Sequence, residues 1–311
     1  MRAVVMREFG PPEVLEPAEV AEPEAGPGEV VIEAEFANVT FVETQIRAGR
    51  APHPSMLPAL PVILGNGTGG TVAGRRVVAS LNGTGGYAER VVADAGRLIE
   101  VPDEVSLRDA VALLADGRTA LSLVGRAGLA AGETVLVEAA GGGVGTLLVQ
   151  LARQAGARVV ALAGEPGKLA LARELGADLA VDYRHGDWPD SVREAAGRVD
   201  VVFDGVGGEV GRAAFGLLGA GGRFYPFGMA SGSFAPVTPE LAAEHEVTLL
   251  RGGPANAEEA AALTRKALAE AAAGRLRAVV GQEFGLAEAS AAHAAIEARA
   301  TVGKTLLTVP R

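Results

Sequence analysis

Thr134-Val135-Leu136-Val137-Glu138-Ala139-Ala140-Gly141-Gly142-Gly143-Val144-Gly145-Thr146 is the stretch on which the fold turns. A short β-prone run breaks into glycine, and a helical pattern follows at once over residues 144–155. The glycines of such a turn have separate tasks. One lets the chain turn tightly, another lets the main chain approach a pyrophosphate, and the last lets the helix pack close to the strand. The first N–H groups of the helix have no partner within it, so they face an anion. The spacing is A-x-G-x-x-G, with Ala140 where a first glycine is usual. A lone glycine string would read as an ordinary tight turn. A strand before it, a helix after it and a second strand about 20 residues on make it a dinucleotide loop.

Outward from the loop, strand and helix patterns alternate. Strands are expected at residues 134–138, 158–163, 179–181, 199–204, 223–227 and 247–250, and helices at 144–155, 166–175, 209–218 and 257–273. Repeated strand–helix units of this kind build a parallel sheet covered on both faces, an α/β class. Residues 1–113 read differently. Short runs at 3–6, 30–36 and 76–79 are separated by Pro11-Pro12 and by the turn-rich residues 23–28, which suggests a small barrel or sandwich. Pro52, Pro54, Pro58 and Pro61 stiffen a non-helical stretch. Residues 275–311 return to mixed texture and end strand-like at 305–309. The expected organisation is a β-rich domain in two parts, 1–113 and 254–311, bracketing a dinucleotide domain at 114–253. A length of 311 residues accommodates two domains.

Composition narrows the chemistry. Hydrophobic residues make up 49% and charged residues 21%, as in a packed globular protein. The net charge of −10, with no basic cluster, disfavours nucleic-acid and membrane-surface partners. No cysteine is present, so thiol catalysis, disulfides and Cys-ligated metals are excluded. The four histidines, His53, His185, His245 and His293, form no paired metal motif, and no metal site is expected. The opening residues carry no leader pattern and no run is long enough to span a bilayer, so a cytoplasmic protein is expected.

The end of the second strand selects the dinucleotide. An NAD binder typically carries Asp or Glu there to hold the ribose 2′-hydroxyl. Here the strand ends Leu162-Ala163-Gly164, which leaves room for a 2′-phosphate. Lys168 lies one turn into the next helix, and Tyr183 and Arg184 follow the third strand. NADPH is the favoured cofactor. Glu165 could instead contact a ribose, and Lys168 could be a solvated surface residue.

Several further motifs carry a resemblance. Gly10-Pro11-Pro12-Glu13-Val14-Leu15, Pro27-Gly28-Glu29-Val30, Pro61-Val62-Ile63-Leu64-Gly65 and Gly86-Tyr87-Ala88-Glu89 precede the glycine loop. Leu175-Gly176-Ala177-Asp178, Asp204-Gly205-Val206-Gly207 and Val302-Gly303-Lys304-Thr305-Leu306 follow it. Together they make the chain resemble the zinc-independent medium-chain dehydrogenase/reductases, particularly the quinone oxidoreductase group, over nearly its whole length. The resemblance implies a GroES-like β-rich domain interrupted by a Rossmann domain with a doubly wound parallel sheet, and an active site in the cleft between them. It implies a nicotinamide cofactor and a homodimer, or a tetramer, formed through the Rossmann sheet edge. Carried over by position, Gly142, Gly143, Val144 and Gly145 would face the pyrophosphate. Gly164, Lys168 and Tyr183 would form the 2′-phosphate pocket, Phe227 and Gly228 would border the nicotinamide, and Lys304 would neutralise the pyrophosphate. Thr119 joins the cofactor-facing set.

Departures from the family pattern bear on the chemistry. Zinc-dependent relatives place Cys where Thr40 stands, Asp where Glu43 stands, and G-H-E where this chain has Gly65-Asn66-Gly67. Without thiolate or imidazole there, zinc-assisted alcohol oxidation is disfavoured. In the quinone reductase group an Asn is usual at Thr40, an Asp at Glu43 and a Tyr at Gln45, and the stretch after Thr71 is shortened here. An alcohol–carbonyl exchange needs an acid or a metal for the oxygen charge. A quinone or α,β-unsaturated carbonyl spreads that charge, so hydrogen-bond donors and positioning suffice. The donors expected are Thr40, Gln45, Asn66 and Thr119, each of which could equally serve local backbone. Glu43 would orient a neighbour or a ribose, or sit on the surface. Arg47 and Arg118 could attract an anion, with a solvated arginine the simpler reading, and His293 and Tyr87 read as structural. The expected activity is NADPH-dependent, metal-free hydride transfer to a quinone or enone. An enoyl reductase of carrier-bound intermediates and a non-catalytic NADPH-binding scaffold are the alternatives.

Overall fold

The computed structural model describes residues 1–81 and 83–309. The chain divides into two compact units, Met1–Arg118 with Thr264–Arg311, and Thr119–Leu263.

The unit Thr119–Leu263 holds six strands in chain order: β1 (Thr134–Val137), β2 (Arg158–Ala163), β3 (Leu179–Asp182), β4 (Val199–Asp204), β5 (Leu218–Pro226) and β6 (Thr248–Leu249). They form one parallel sheet in the order β3-β2-β1-β4-β5-β6. The order reverses direction at β1, the point where open α/β sheets receive ligands at their carboxyl ends. Helices α1 (Gly143–Gln154), α2 (Pro166–Glu174), α3 (Trp188–Ala196) and α4 (Gly208–Phe215) connect successive strands. Val135, Leu136 and Val137 are fully buried, as are Val159, Val160 and Leu162, because the strands are covered on both faces. The core gathers Leu136, Val160, Trp188, Val202, Phe215 and Phe224. Residues 209–218 were expected to be one helix. Here α4 stops at Phe215, and Leu218 opens β5 beside Val199.

The other unit is β-rich. Its main sheet runs in the order Val280–Gly285, Lys304–Thr308, Glu29–Val39, Gly67–Val72, Arg75–Ser80, Ile99–Glu100, with Arg90–Asp94 also paired to Glu29–Val39. All its pairings are antiparallel except that between Val280–Gly285 and Lys304–Thr308. A smaller antiparallel sheet joins Leu15–Glu19, Arg2–Met6 and Val62–Ile63. Met6, Ile32, Leu64, Tyr87 and Leu307 centre its core.

One strand of this unit, Gly67–Val72, carries three glycines in six residues. A Cβ at Gly67 would meet Leu114 and Asn38 within 2.9 Å, and one at Gly70 would run into the Glu33 carbonyl. The neighbouring chain is simply too close for side chains there. Asn66 stands immediately before this strand.

Candidate functional site

The glycine loop follows β1 directly, and its backbone is tightly folded. Ala139 takes φ 49°, and Gly142 N–H donates to Ala139 O at 2.8 Å. A Cβ on Gly145 would run into that same carbonyl, which is why α1 needs glycine in its first turn. The first intrahelical acceptor is Gly142 O, which receives Thr146 N–H at 2.9 Å. The N–H groups of Gly143, Val144 and Gly145 therefore head the helix without intrahelical acceptors. Gly142, Gly143 and Val144 are half-buried, so this amide cluster is open to a ligand. It suits a pyrophosphate in charge and in hydrogen-bonding type.

Around the ends of β2 and β3 the structure gathers the residues expected at a 2′-phosphate. A Cβ built on Gly164 would lie 3.3 Å from the Tyr183 hydroxyl and 3.5 Å from Arg184 Cδ. The Lys168 stem crosses Gly141, whose Cβ would fall 2.6 Å from Lys168 Cγ. Lys168 Nζ lies 3.6 Å from Glu165 Oε1 and its side chain is only 13% exposed, so it is no freely solvated lysine. Arg184 instead forks onto Asp182, with Nη2–Oδ2 at 2.7 Å, and holds that carboxyl down to about 2. Phe227 and Gly228 donate their N–H groups to Asp204 O at 2.9 and 3.1 Å. Gly228 abuts Gly205, where a Cβ would sit 2.9 Å from Gly205 Cα. Thr119 opens this unit and is half-buried.

Glu138 follows β1 directly and Asp204 ends β4, and sequence reasoning gave neither a role at the site. Both are fully buried. Burial pushes the Glu138 carboxyl well above its ordinary range, and the neighbouring Asp204 charge adds to this. Burial raises Asp204 as well. The signal in the sequence was an acidic residue ending each of two apolar strand runs.

In the β-rich unit, Thr40, Glu43, Gln45, Asn66, Tyr87, His293 and Lys304 are partly or wholly buried. Thr40 caps the helix Phe41–Arg47 in a capping box with Glu43. Glu43 is 1% exposed, which overturns the surface reading. Its Oε2 accepts from Thr40 N at 2.6 Å, Thr40 Oγ1 at 2.9 Å and Tyr87 Oη at 3.3 Å, and its Oε1 accepts from Asn66 N at 2.7 Å. Burial pushes this carboxyl up, while the donors and the Lys304 charge pull it back. Tyr87 Oη also lies 3.0 Å from His293 Nε2. Burial, with help from the Arg47 charge, lowers His293 to about 3, so the ring is neutral. Arg47, expected to be solvated, is 1% exposed and ion-paired with Glu297. Arg118 is half-buried with Nη1 on Ser80 Oγ at 3.1 Å. Lys304 Nζ binds Asp116 Oδ1 at 3.0 Å, so its charge is met within its own unit.

These bonds sort the expected donors. The Thr40 hydroxyl proton is directed at Glu43, and Gln45 Nε2 is directed at Thr44 Oγ1 at 3.1 Å. Asn66 is different. Its Oδ1 accepts from Gly83 N–H at 2.8 Å, which orients the NH₂ end as the remaining donor. Among the described residues no group of three His, Cys, Asp or Glu is placed to hold a metal ion, and no helix is long and apolar enough to cross a membrane.

A glycine turn after β1, at the reversal of a 3-2-1-4-5-6 parallel sheet, defines a Rossmann dinucleotide-binding protein. Residues 143–266 match the family described as Zinc-binding dehydrogenase. That segment contains none of Thr40, Glu43 and Asn66. The chain is 30% identical to a quinone oxidoreductase of Pseudomonas aeruginosa, over 96% of this chain and 97% of that one. It is 31% identical to a 2-haloacrylate reductase of a Burkholderia species, over 99% and 98% of the two chains. Its structure superposes on the quinone oxidoreductase of Thermus thermophilus, also solved as its complex with NADPH. The TM-score is 0.87 and the identity 36%, covering 99% of this chain and 100% of that one. The chain belongs to the medium-chain dehydrogenase/reductase family, in its quinone oxidoreductase group, and is an oxidoreductase.

Proposed function

We propose that this enzyme transfers hydride from NADPH to a quinone or an α,β-unsaturated carbonyl compound, without a metal. NADPH is its cofactor. The observation that carries the cofactor assignment is the cluster of Gly141, Gly164, Lys168 and Tyr183 beside the open amides of α1. Residues 142–145 would hold the pyrophosphate, with Thr119, Phe227 and Gly228 as further cofactor contacts. Gly164 and Tyr183 would shape the 2′-phosphate pocket and Lys168 would supply its charge. Lys304 would reach the pyrophosphate only by sharing its ammonium with Asp116.

Bound NADPH supplies a hydride to the electron-poor carbon of the acceptor. The electron pair displaced from the conjugated system moves to oxygen, where a hydrogen-bond donor stabilises it. Asn66 Nδ2 is the group we assign to that task. Glu43 fixes Asn66 and Thr40 on either side of one carboxylate, so it is a positioning residue. Water supplies the final proton. Similarity to both quinone oxidoreductases and a 2-haloacrylate reductase supports an acceptor conjugated to a carbonyl or carboxyl group. The Rossmann edge strand β6 pairs on one side only among the described residues, and we propose that it joins two copies into a homodimer. The test is NADPH oxidation against a panel of quinones, enones and 2-haloacrylates. Turnover with at least one is expected. Tight NADPH binding without turnover of any would leave a scaffold in place of an enzyme of this specificity.

A further inference from the structure

Two carboxyl groups end neighbouring strands of the parallel sheet with no cation beside them among the described residues. The register pairs Phe203 of β4 with Val137 of β1, so Asp204 comes next to Glu138. Glu138 N–H donates to Phe203 O at 3.0 Å, which carries the pairing to the strand ends. One oxygen of each carboxyl is engaged by backbone. Glu138 Oε2 accepts from Val206 N–H at 3.1 Å, and Asp204 Oδ1 accepts from Gly207 N–H at 2.6 Å. The other two oxygens, Glu138 Oε1 and Asp204 Oδ2, are buried and have no donor among the described residues. From α4 the position facing Asp204 Oδ2 is Gly211, with Ala235 behind it. The Asp204 charge raises Glu138, the two carboxyls lie within hydrogen-bond reach of each other, and the other groups acting on the pair are the backbone N–H groups of Val206 and Gly207.

Two ionised carboxylates cannot sit together in such a place at reasonable cost. A single proton between them removes the repulsion and gives the pair the donor that its buried oxygens lack. We propose that Glu138 and Asp204 share one proton, and that the resulting acid–carboxylate bond fixes the loops 139–145 and 205–208 against each other for the cofactor. The linkage is short. Ala139 begins the glycine loop directly after Glu138, and Gly205 follows Asp204. Asp204 O also receives the N–H groups of Phe227 and Gly228, so a third segment hangs from the same residue. Glu138 and Asp204 are positioning residues that act through these loops. The inference rests on the reading of the loop as an NADPH site, although the state of the proton does not. Below the pair's own titration the proton is present and the loops are held. Above it, a second negative charge enters the pair and NADPH binding weakens.

Infrared spectroscopy of the full chain, in light and heavy water, reads the protonated-carboxyl stretch, and calorimetry reads NADPH affinity across pH. A protonated-carboxyl band is expected in the wild type at neutral pH and its loss is expected in Glu138→Gln. Wild-type affinity is expected to fall about tenfold on the alkaline side, the worth of one lost hydrogen bond, and to stay level in Glu138→Gln, which donates without titrating. Glu138→Ala should weaken binding at every pH, and Gln should rescue it. If Glu138→Gln fails to fold, the wild type alone decides, since band and affinity must then fade with one midpoint. Absence of the band, its persistence in Glu138→Gln, a level wild-type affinity, or unmatched midpoints would overturn the proposal. A wild type that binds no NADPH at any pH would instead strike the cofactor reading, and the band would still judge the pair.

Discussion

Asn66 and Thr40 hydrogen-bond to the same carboxylate, yet they differ in what they can still donate. Thr40 spends its proton on Glu43, while Asn66 keeps its NH₂ end. Asn66→Ala should therefore lower kcat/KM by roughly 10²-fold, as removal of an oxyanion donor does. NADPH affinity should hardly change. Steady-state kinetics with the best acceptor checks this, and an unaltered kcat/KM would remove Asn66 from the reaction. Lys168 is judged by cofactor choice. Lys168→Ala should cost NADPH about 1.5–3 kcal/mol and NADH far less, because only the former carries the 2′-phosphate. Equal losses in calorimetry would assign Lys168 to packing. His293 gives a prediction in pH. Its buried ring titrates near 3, against about 6.5 in an unfolded chain. Between those values the unfolded state binds more protons, so stability falls as pH falls. The contribution is whole above about pH 6.5 and drains by about 1.4 kcal/mol per unit below it. Urea midpoints of wild type and His293→Gln should converge toward acid pH, whereas parallel curves would show that the ring does not titrate on unfolding.

At the scale of elements, the glycine loop and α1 were the most legible part of the chain, because each glycine answers a steric demand within a few residues. Gly145 shows the demand plainly, since its would-be Cβ lands on Ala139 O. Gly145→Ala should destabilise the protein by about 1–3 kcal/mol by forcing α1 from β1, and should weaken NADPH binding as well. Paired thermal melts and calorimetry would test both, and an unchanged variant would mean the loop adapts. The helix Leu107–Ala127 escaped the sequence reading, although the change of texture near Ser106 was visible. Its apolar residues spread around the helix with no narrow stripe to announce it: Val111, Ala112, Leu113 and Leu114 are all buried in succession. The strand Gly67–Val72 was also hidden, because glycine usually signals a turn and here signals neighbouring backbone. Helix α3 begins Trp188-Pro189, which reads as loop until Pro is seen at its first turn. At the site, the Thr40-x-x-Glu43 spacing carries the capping box that the structure shows, but in the sequence these residues read only as a donor and an orienting carboxylate. The burial of Glu43 was not legible, since it depends on Tyr87 and Asn66 arriving from elsewhere in the chain.

The whole molecule should respond to its cofactor. A ligand that binds only the folded state stabilises by about 2.7 kcal/mol at a hundredfold excess over its Kd. NADPH should raise the Tm measurably, NADH should raise it less at equal concentration, and Lys168→Ala should narrow that difference. Equal shifts for both cofactors in the wild type would contradict the 2′-phosphate pocket. The homodimer is tested by sedimentation of the wild type and of Leu249→Pro, which removes the backbone donor of β6 that points away from β5. A monomeric wild type would set the proposal aside.

Lys304–Thr308 lies inside its sheet, flanked by Val280–Gly285 on one side and by Glu29–Val39 on the other, with Thr305 beside Val39. A ribosome making this chain releases the Rossmann segment well before it delivers that strand. Residues around Val39 must wait with an unsatisfied edge while later segments emerge, since pairings so distant in sequence form late. The enzyme's birth is thus ordered from the middle outward, and chaperones would meet it first at its opening third.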